Sequence, residues 1–470
     1  MKKLDTMKKD RFYQILVLIV ITSILFSCEK WIDPEINIDP DQASEVTMAT
    51  ILPSIEAGVA YHVCGGSDII GIQSMWLQQI DGISGYFIAI TNYIVDPRVV
   101  NTLFDGSYSG GMMDAKVLAD LATEKNSPHN LGVAKVNMAI FLGQLTDVFG
   151  DIPWSEALQG IDYPRPVYDE QEYIYEEIFR LLSEAIDHLS ETNEPVGIYG
   201  DYFYEGDALL WFKAAHALKA RYHLHLTKRK GNQAYQDALF ELNEAFTSND
   251  DDMQFNYGSG DSESNPLYQF MRDWDGYRLG AYFIDMLKAY NDPRLPVFAY
   301  PDANDEYTGS EPGSANTEAS RPGFAVADAE SPTYLMTFVE CLFMKAEIIY
   351  QIANDENQVR EILIQAVTES LNKFGVYDET WLSEYSDSVE NLTGEDLFEE
   401  IMTQKYIATF YQAESYHSWR RTGYPVIPPN PLVAEDEIPT RFPYTSLEMT
   451  YNNENVPKGV TITDRVWWDE

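Results

Sequence analysis

Cysteine is scarce in this chain of 470 residues, which contains three: Cys28, Cys64 and Cys341. Their wide separation excludes a disulfide framework, and no CxxC pair is present to hold a metal or support redox exchange. We therefore expect Cys64 and Cys341 to be free thiols. Cys341 lies in an apolar helical segment, where a small buried thiol packs like other hydrophobic side chains.

Basic residues are also few: 32 stand against 75 acidic residues, which gives a net charge of −43. Such a chain repels phosphate groups, so its charge argues against a nucleic-acid partner held by a basic surface. No GxSxG, HExxH or Walker motif occurs in the sequence. A glycosidase needs two carboxylates that flank the scissile bond, but among so many acids no pair stands out.

The apolar run near the amino terminus, residues 15–26, is too short to span a bilayer comfortably. Five basic residues precede it, and LFSC at 25–28 follows the pattern of a lipobox. These features predict a lipoprotein signal peptide at 1–27, an acylated Cys28, and an anchor and tether at 28–47. Acyl chains hold a domain firmly, since each buried methylene contributes about 0.8 kcal/mol. The alternatives are an ordinary signal peptide or a single anchor helix.

Helical periodicity is clearest in residues 131–149, which are apolar on most sides of a helix. This pattern predicts a helix that is buried among other helices. Gly150 supplies the backbone freedom to end it. We expect Asp147 and Asp151 to bond backbone groups of the turn that follows.

The spacing of the helices indicates a repeat. Predicted starts near Val133, Asp169 and Gly206 lie 36 and 37 residues apart, close to the 34-residue tetratricopeptide period. Asp169 is expected to cap its helix. Residues 247–332 predict a loop-rich, functional insert, and the proline-rich tail from 424 onward is expected to wrap the helical body. The helices themselves are predicted at 73–80, 169–190, 206–227, 233–246, 281–290, 333–352, 357–374 and 395–419.

Four sequence blocks follow one another in the order of a known family. They are TDVFGDIPWSEA (146–157), NDPRLPVFAYP (291–301), QKYIATFYQAESYHSWRRTGYP (404–425) and IPTRFPYTSLEMTYNNEN (438–455). Together with the leader they cover most of the chain, which resembles the SusD/RagB family of nutrient-binding outer-membrane lipoproteins from Bacteroidetes-type bacteria. The resemblance implies a mostly α fold with a tetratricopeptide-like scaffold of helical pairs, a SusD-like single domain at 48–470.

The resemblance also implies a function without catalysis or a cofactor. A protein of this kind faces the cell exterior, anchored in the outer membrane through acylated Cys28, and acts as a lid on a SusC-like TonB-dependent transporter barrel. Its ligand would be an oligosaccharide or a peptide. Two alternatives remain open from the sequence: a lipid-anchored secreted hydrolase, and a tetratricopeptide scaffold that binds a protein and no small ligand.

Aromatic residues beside glycines or polar residues are the candidates for ligand contact, because exposed rings stack on sugar faces. We expect ligand at Trp76, Tyr86, Tyr93, Trp274 and Tyr277, with core packing as the alternative for each ring.

Metal binding has little support in the sequence. His216 and His223 share a helical face, but His225 points away, so three histidines do not converge and no metal site is predicted. Acidic runs at 250–252 and 302–306 leave a structural calcium ion possible, although neither has the spacing of an EF-hand.

Overall fold

The computed structural model describes residues 46–353, 355–434 and 437–470. The predicted signal peptide and Cys28 lie outside these ranges, as does nearly all of the predicted tether. Residues Met48–Glu470 form one compact unit.

Helices make up most of the described chain. Its first half contains α1 (Met48–Gly58), α2 (Ser67–Trp76), α3 (Phe87–Thr91), α4 (Asn101–Gly106), α5 (Met113–Lys125), α6 (Pro128–Phe149), α7 (Gln171–Leu189), α8 (Ala208–His225), α9 (Thr227–Lys230) and α10 (Asn232–Leu242). Its second half contains α11 (Pro266–Asp273), α12 (Ala281–Ala289), α13 (Leu295–Phe298), α14 (Phe324–Ala327), α15 (Phe338–Ala353), α16 (Glu356–Lys373), α17 (Glu379–Val389), α18 (Gly394–Ala408), α19 (Ala413–Thr422) and α20 (Ser446–Tyr451).

Short strands and other helical turns complete the secondary structure. The strands are β1 (Ile80–Gly82), β2 (Met253–Phe255), β3 (Tyr277–Leu279) and β4 (Thr333–Met336). Two π-helical segments follow α1 and α4, at Val59–Gly65 and Ser107–Met112. Single 3-10 turns lie at Gly160–Asp162, Asn249–Asp251 and Trp467–Asp469.

Helices that follow one another pack side by side. The central helix α6 contacts α5 and α7, α7 contacts α8, and α8 contacts α10. The stack continues from α10 to α15 and from α15 to α16 and α18. Most of α6 is buried, as predicted from the apolar residues on most of its sides. The helix ends at Gly150, whose φ is +81°. The mostly α scaffold of helical pairs is confirmed.

Pairing between strands that are far apart in the sequence explains where the structure differs from the predicted elements. The insert contains β2, β3 and α11; β1 pairs antiparallel with β3, and β2 with β4. Residues 333–336 are therefore a strand, and the helix predicted from 333 begins at Phe338. The helix predicted at 395–419 is divided between α18 and α19, where Tyr411 has φ at +58°. Strands of three or four residues leave too little periodicity for a sequence pattern to show.

The carboxyl-terminal tail closes over the end of α6. Phe442 N donates to Val148 O at 2.8 Å, and the Arg441 guanidinium donates to Phe149 O. Tyr444 Oη donates to Asp151 O at 3.0 Å. The first two bonds satisfy carbonyls of the last turn of α6, which a helix end leaves without intrahelical partners. The tail thus wraps the helical body as predicted.

Of the two acids near that helix end, only one binds backbone. Asp151 Oδ1 accepts from the backbone N of Gln171 at 2.9 Å, and Gln171 is the first residue of α7 and not part of the turn that the sequence predicts. Asp147 is buried and accepts from Tyr175 Oη at 2.5 Å, with His225 Nδ1 3.3 Å from its other oxygen. The prediction of a backbone partner for Asp147 is therefore wrong, because α7 and α8 place side-chain donors beside it.

Asp169 also differs from its predicted role. Its Oδ2 accepts from Trp154 N and Ser155 N, both at 2.8 Å, while Glu170 occupies the N-cap position of α7. The Asp169 carboxylate thus fixes the loop after α6 and does not cap the following helix.

A buried group of charged and polar side chains forms around His225, and we call it the His225 cluster: Asp147, Tyr175, His225, Lys405 and Glu414. His225 Nε2 lies 3.0 Å from Glu414 Oε2, and Lys405 Nζ lies 3.4 Å from Glu414 Oε1. The histidine thus pairs with carboxylates. His216 pairs with a different carboxylate, Glu241, at 2.6 Å.

The two cysteines that the structure describes are free thiols, as the sequence predicts. Cys341 is buried within α15, and burial is the main cause of its raised pKa. A buried thiol with a raised pKa is a poor nucleophile.

Candidate functional site

Three of the five predicted ligand rings lie in the interior. Trp76 is fully buried against Tyr416 and Phe442, with ring centroids 5.8 Å and 5.4 Å away. Tyr277 is fully buried in β3, and Tyr93 is buried with its hydroxyl accepting from Asn430 N at 2.8 Å. A buried ring presents no face to a soluble ligand, so these three side chains do not form part of a surface site.

The other two predicted rings, Tyr86 and Trp274, line one groove together with Tyr61. Trp274 is 71% exposed, Tyr61 53% and Tyr86 46%. The groove has a volume of about 290 Å³, and we call it the ring groove. Clustered, exposed aromatic rings are a common feature of surfaces that bind flat, partly apolar molecules.

The floor of the ring groove is a packed set of aromatic side chains. Phe87 meets Phe270 edge-on with centroids 5.1 Å apart, and Tyr277 lies 4.9 Å from Phe87 and 4.6 Å from Phe270. Tyr86 in turn lies 4.1 Å from Phe87. Tyr277 thus supports the floor from below, so its contribution to the site is rigidity.

The pairing of β1 with β3 brings together segments almost 200 residues apart. Gly82 stands opposite Tyr277 in the register, so α3 after β1 and α11 before β3 face each other across the groove. Gly276 fits tightly, because a Cβ there would lie 2.5 Å from the Phe270 ring. Trp274 occupies the residue after α11, where the helix ends and the ring turns outward.

Polar side chains stand beside these rings. Gln269 Nε2 donates to Ser264 O at 2.7 Å, which leaves its carbonyl oxygen as an acceptor. Asp273 receives a 2.7 Å hydrogen bond from Arg272 Nε, which holds the pKa of Asp273 below its usual value. Stacking faces next to fixed acceptors suit a sugar, which has apolar ring faces and hydroxyl edges.

Tyr61 lines the groove as well, and the sequence did not predict it. It lies in the π-helical segment after α1, with His62 packed edge-on at 5.1 Å. The sequence around it reads as helix, and no local signal tells an outward tyrosine from an inward one. The prediction that Tyr86 and Trp274 contact ligand stays a prediction, now with a common location.

Three acids of the two acidic runs bind other groups of the protein. Asp251 pairs with Lys213 at 2.8 Å and Asp252 with Lys373 at 2.6 Å. Asp302 Oδ1 accepts from two backbone amides, Asn304 N at 2.8 Å and Glu306 N at 3.1 Å. Within the described ranges, no group of three or more histidine, cysteine or acidic residues is placed to hold a metal ion.

None of the helices within residues 46–353, 355–434 and 437–470 combines the length and apolar character needed to span a bilayer.

The paired-helix scaffold with an open aromatic groove defines a class of helical binding protein. A family model described as "Starch-binding associating with outer membrane" matches residues 40–445. The chain therefore belongs to this SusD-like family of outer-membrane nutrient-binding proteins.

Solved structures agree with this assignment. A SusD/RagB family protein from Bacteroides thetaiotaomicron is 25% identical with a TM-score of 0.79, over 90% of this chain and 99% of that one. A chitin-binding protein is 22% identical with a TM-score of 0.78, over 90% and 100% of the two chains. A chitin-binding SusD homologue from Flavobacterium johnsoniae is 20% identical with a TM-score of 0.75, over 88% and 98%. No curated protein sequence matches this chain.

Proposed function

We propose that this protein captures an oligosaccharide in the ring groove at the cell surface, held to the outer membrane by acylated Cys28. The observation that carries the proposal is the convergence of Tyr61, Tyr86 and Trp274 on one exposed groove. Rings of this kind stack on sugar faces, and Gln269 and Asp273 supply acceptors for hydroxyls. The chitin-binding relatives favour a glycan over a peptide.

The groove leaves one face of a ligand uncovered. Trp274 is 71% exposed, so a sugar stacked on it would still meet solvent on its other side. We propose that a SusC-like TonB-dependent transporter barrel covers this face, with the protein acting as its lid. Closure then needs only a higher affinity for ligand in the closed state than in the open state, and no covalent chemistry.

Ligand class is tested by calorimetry with the purified lipoprotein. Chito-oligosaccharides and malto-oligosaccharides form one panel, and peptides of matched length form the other. We expect binding by one glycan series, weakened about tenfold by Trp274→Ala or Tyr86→Ala. Tyr377→Ala, which removes a similarly exposed ring elsewhere, is the matched control. Binding of peptides alone, or equal losses in all three variants, would overturn the oligosaccharide proposal.

The lid role is tested separately by copurification from the native outer membrane. We expect a large β-barrel transporter to be recovered with the protein and to be lost when Cys28→Ala removes the anchor. Release of reducing ends from a glycan by purified protein alone would favour the hydrolase alternative instead.

A further inference from the structure

A second cavity lies beside the end of α6, apart from the ring groove. Its volume is about 520 Å³, and it shares no lining residue with the groove. Aromatic and thioether side chains form much of its wall: Phe104, Tyr108, Met113 and Tyr163. Its size suits a small molecule.

The rings of this wall are held in place by contacts behind them. Phe104 packs edge-on against Phe149 with centroids 5.5 Å apart. Tyr108 lies 4.9 Å from Phe104, and its hydroxyl donates to Pro153 O at 2.5 Å. Tyr163, on the loop after α6, is 42% exposed. The cavity is therefore a preformed one with rigid walls and one accessible ring.

Two carboxylates, Asp105 and Glu448, face this cavity among the rings. Glu448 Oε2 accepts from Tyr168 Oη at 2.9 Å and from Asn452 Nδ2 at 3.0 Å, which fixes its orientation. In the described part of the chain, the Asp105 carboxylate makes no hydrogen bond or ion pair. Burial and the charge of Glu448 raise the pKa of Asp105.

Positive charge is missing from this cavity, since none of its lining residues is lysine, arginine or histidine. Several buried acids of the protein pair with a cation, as Asp252 does with Lys373 and Glu347 with Arg421. Two neighbouring carboxylates without a counter-ion favour the entry of a cation. The net charge of −43 also draws cations toward the surface.

We propose that this cavity is a second binding site, for a small organic ammonium ion. Ring faces attract such a cation through their quadrupoles, while its alkyl groups pack on Met113 and the aromatic wall. The two carboxylates supply the counter-charge. A metal ion fits less well, because it requires several oxygen ligands in a close shell, and the wall is largely aromatic.

The test compares choline with 3,3-dimethylbutan-1-ol, its uncharged counterpart of the same shape. Calorimetry on the full-length protein should show choline binding at least about tenfold more tightly than the alcohol, because cation–π attraction and the carboxylates act on charge. Equal affinities for the two compounds, or no choline binding at millimolar concentration, would overturn the proposal. So would calcium chloride displacing choline at equal concentration.

Variants then locate the site. Asp105→Asn removes a charge without removing a side-chain hydrogen bond, and Tyr163→Ala removes an accessible ring; each should weaken choline binding about fivefold or more. Glu124→Gln, at an exposed position of α5, carries the same charge change outside the cavity and should leave binding unchanged. If Asp105→Asn behaves like Glu124→Gln, choline binds elsewhere and the proposal is wrong. Trp274→Ala should not alter choline binding, so this result is independent of glycan capture.

Discussion

The ring groove and the His225 cluster differ in composition and in environment, since aromatic rings line the groove and ionisable side chains form the cluster. Trp274 of the groove is 71% exposed, whereas His225 and Glu414 of the cluster are buried. In the cluster every charge has a partner at short range, such as His225 to Glu414 at 3.0 Å. Removing a cluster residue leaves a charge stranded in a poorly solvated interior, while removing a groove ring leaves only water in its place.

Among the substitutions that test this contrast, Glu414→Ala should cause the largest loss of stability. The change leaves Lys405, His225 and nearby Arg221 without their shared carboxylate. We expect the free energy of unfolding to fall by about 3–5 kcal/mol, the usual cost of breaking a buried ion pair from one side. Chemical denaturation monitored by circular dichroism measures it.

Glu124→Ala is the control for that change, since its partner Lys125 is also exposed. An exposed pair contributes less than about 1 kcal/mol. A similar loss of stability in both variants would contradict the contrast between the two regions.

Gly276→Ala should lower both stability and glycan affinity, because the added methyl group contacts the floor of the ring groove. Its Cβ would lie 2.5 Å from the Phe270 ring, so the floor has to shift. We expect a destabilisation of about 1–3 kcal/mol, typical of overpacking, together with weaker glycan binding. Gly110→Ala, where nothing lies within 4 Å of the added carbon, should change neither denaturation midpoint nor affinity.

The pH dependence of stability tests the charge state of the cluster. Burial opposes the charged form of His225, but Asp147 and Glu414 outweigh it and raise the pKa above 6.5. The stabilisation from His225 is therefore full below pH 6.5 and is lost as the pH rises through the folded pKa. The free energy of unfolding of the wild type should therefore fall between pH 5 and pH 9, by on the order of 1 kcal/mol. We expect His225→Gln to reduce this fall.

The two carboxylates of the cluster change stability with pH in the opposite direction. Burial disfavours their charged forms, but His225 lowers the pKa values of Asp147 and Glu414 below their usual 3.8 and 4.5. Their contribution is present above those usual values and is lost as the pH falls through the folded pKa. An alkaline decline of equal size in the wild type and in His225→Gln would contradict this account of the cluster.

Trp274→Ala should have the smallest effect on stability. Its ring is mostly in water already, so we expect the free energy of unfolding to change by less than about 0.5 kcal/mol, while glycan affinity falls. A loss of several kcal/mol would show that the ring supports the fold, and that its exposure is not a sign of function.

The helical scaffold could be predicted because long helices repeat their pattern many times. In α6 the apolar spacing recurs over 22 residues, and the family blocks lie mostly at helix ends and in the tail. The strands β1 and β3 have three residues each, so their pairing has no periodic signal. The same pairing assembles the ring groove.

Two tryptophans show most clearly what a sequence pattern cannot predict. Trp76 and Trp274 both lie near the end of a helix and near glycine or polar residues, and the sequence predicts ligand contact for both. Trp76 is covered by Tyr416 and Phe442, more than 300 residues further along the chain. No local pattern reports such a cover, because burial of a side chain depends on segments that are distant in sequence.

The sequence by itself determined the acidic character, the paired helices and the family of this protein, since composition and helical period are local properties summed along the chain. Only the tertiary structure decided which aromatic rings face solvent and that Tyr61 joins Tyr86 and Trp274. It also decided that Asp147 meets His225, and that Asp105 and Glu448 share a cavity. Each of these depends on contacts between distant segments, whose geometry is fixed only when the helices pack.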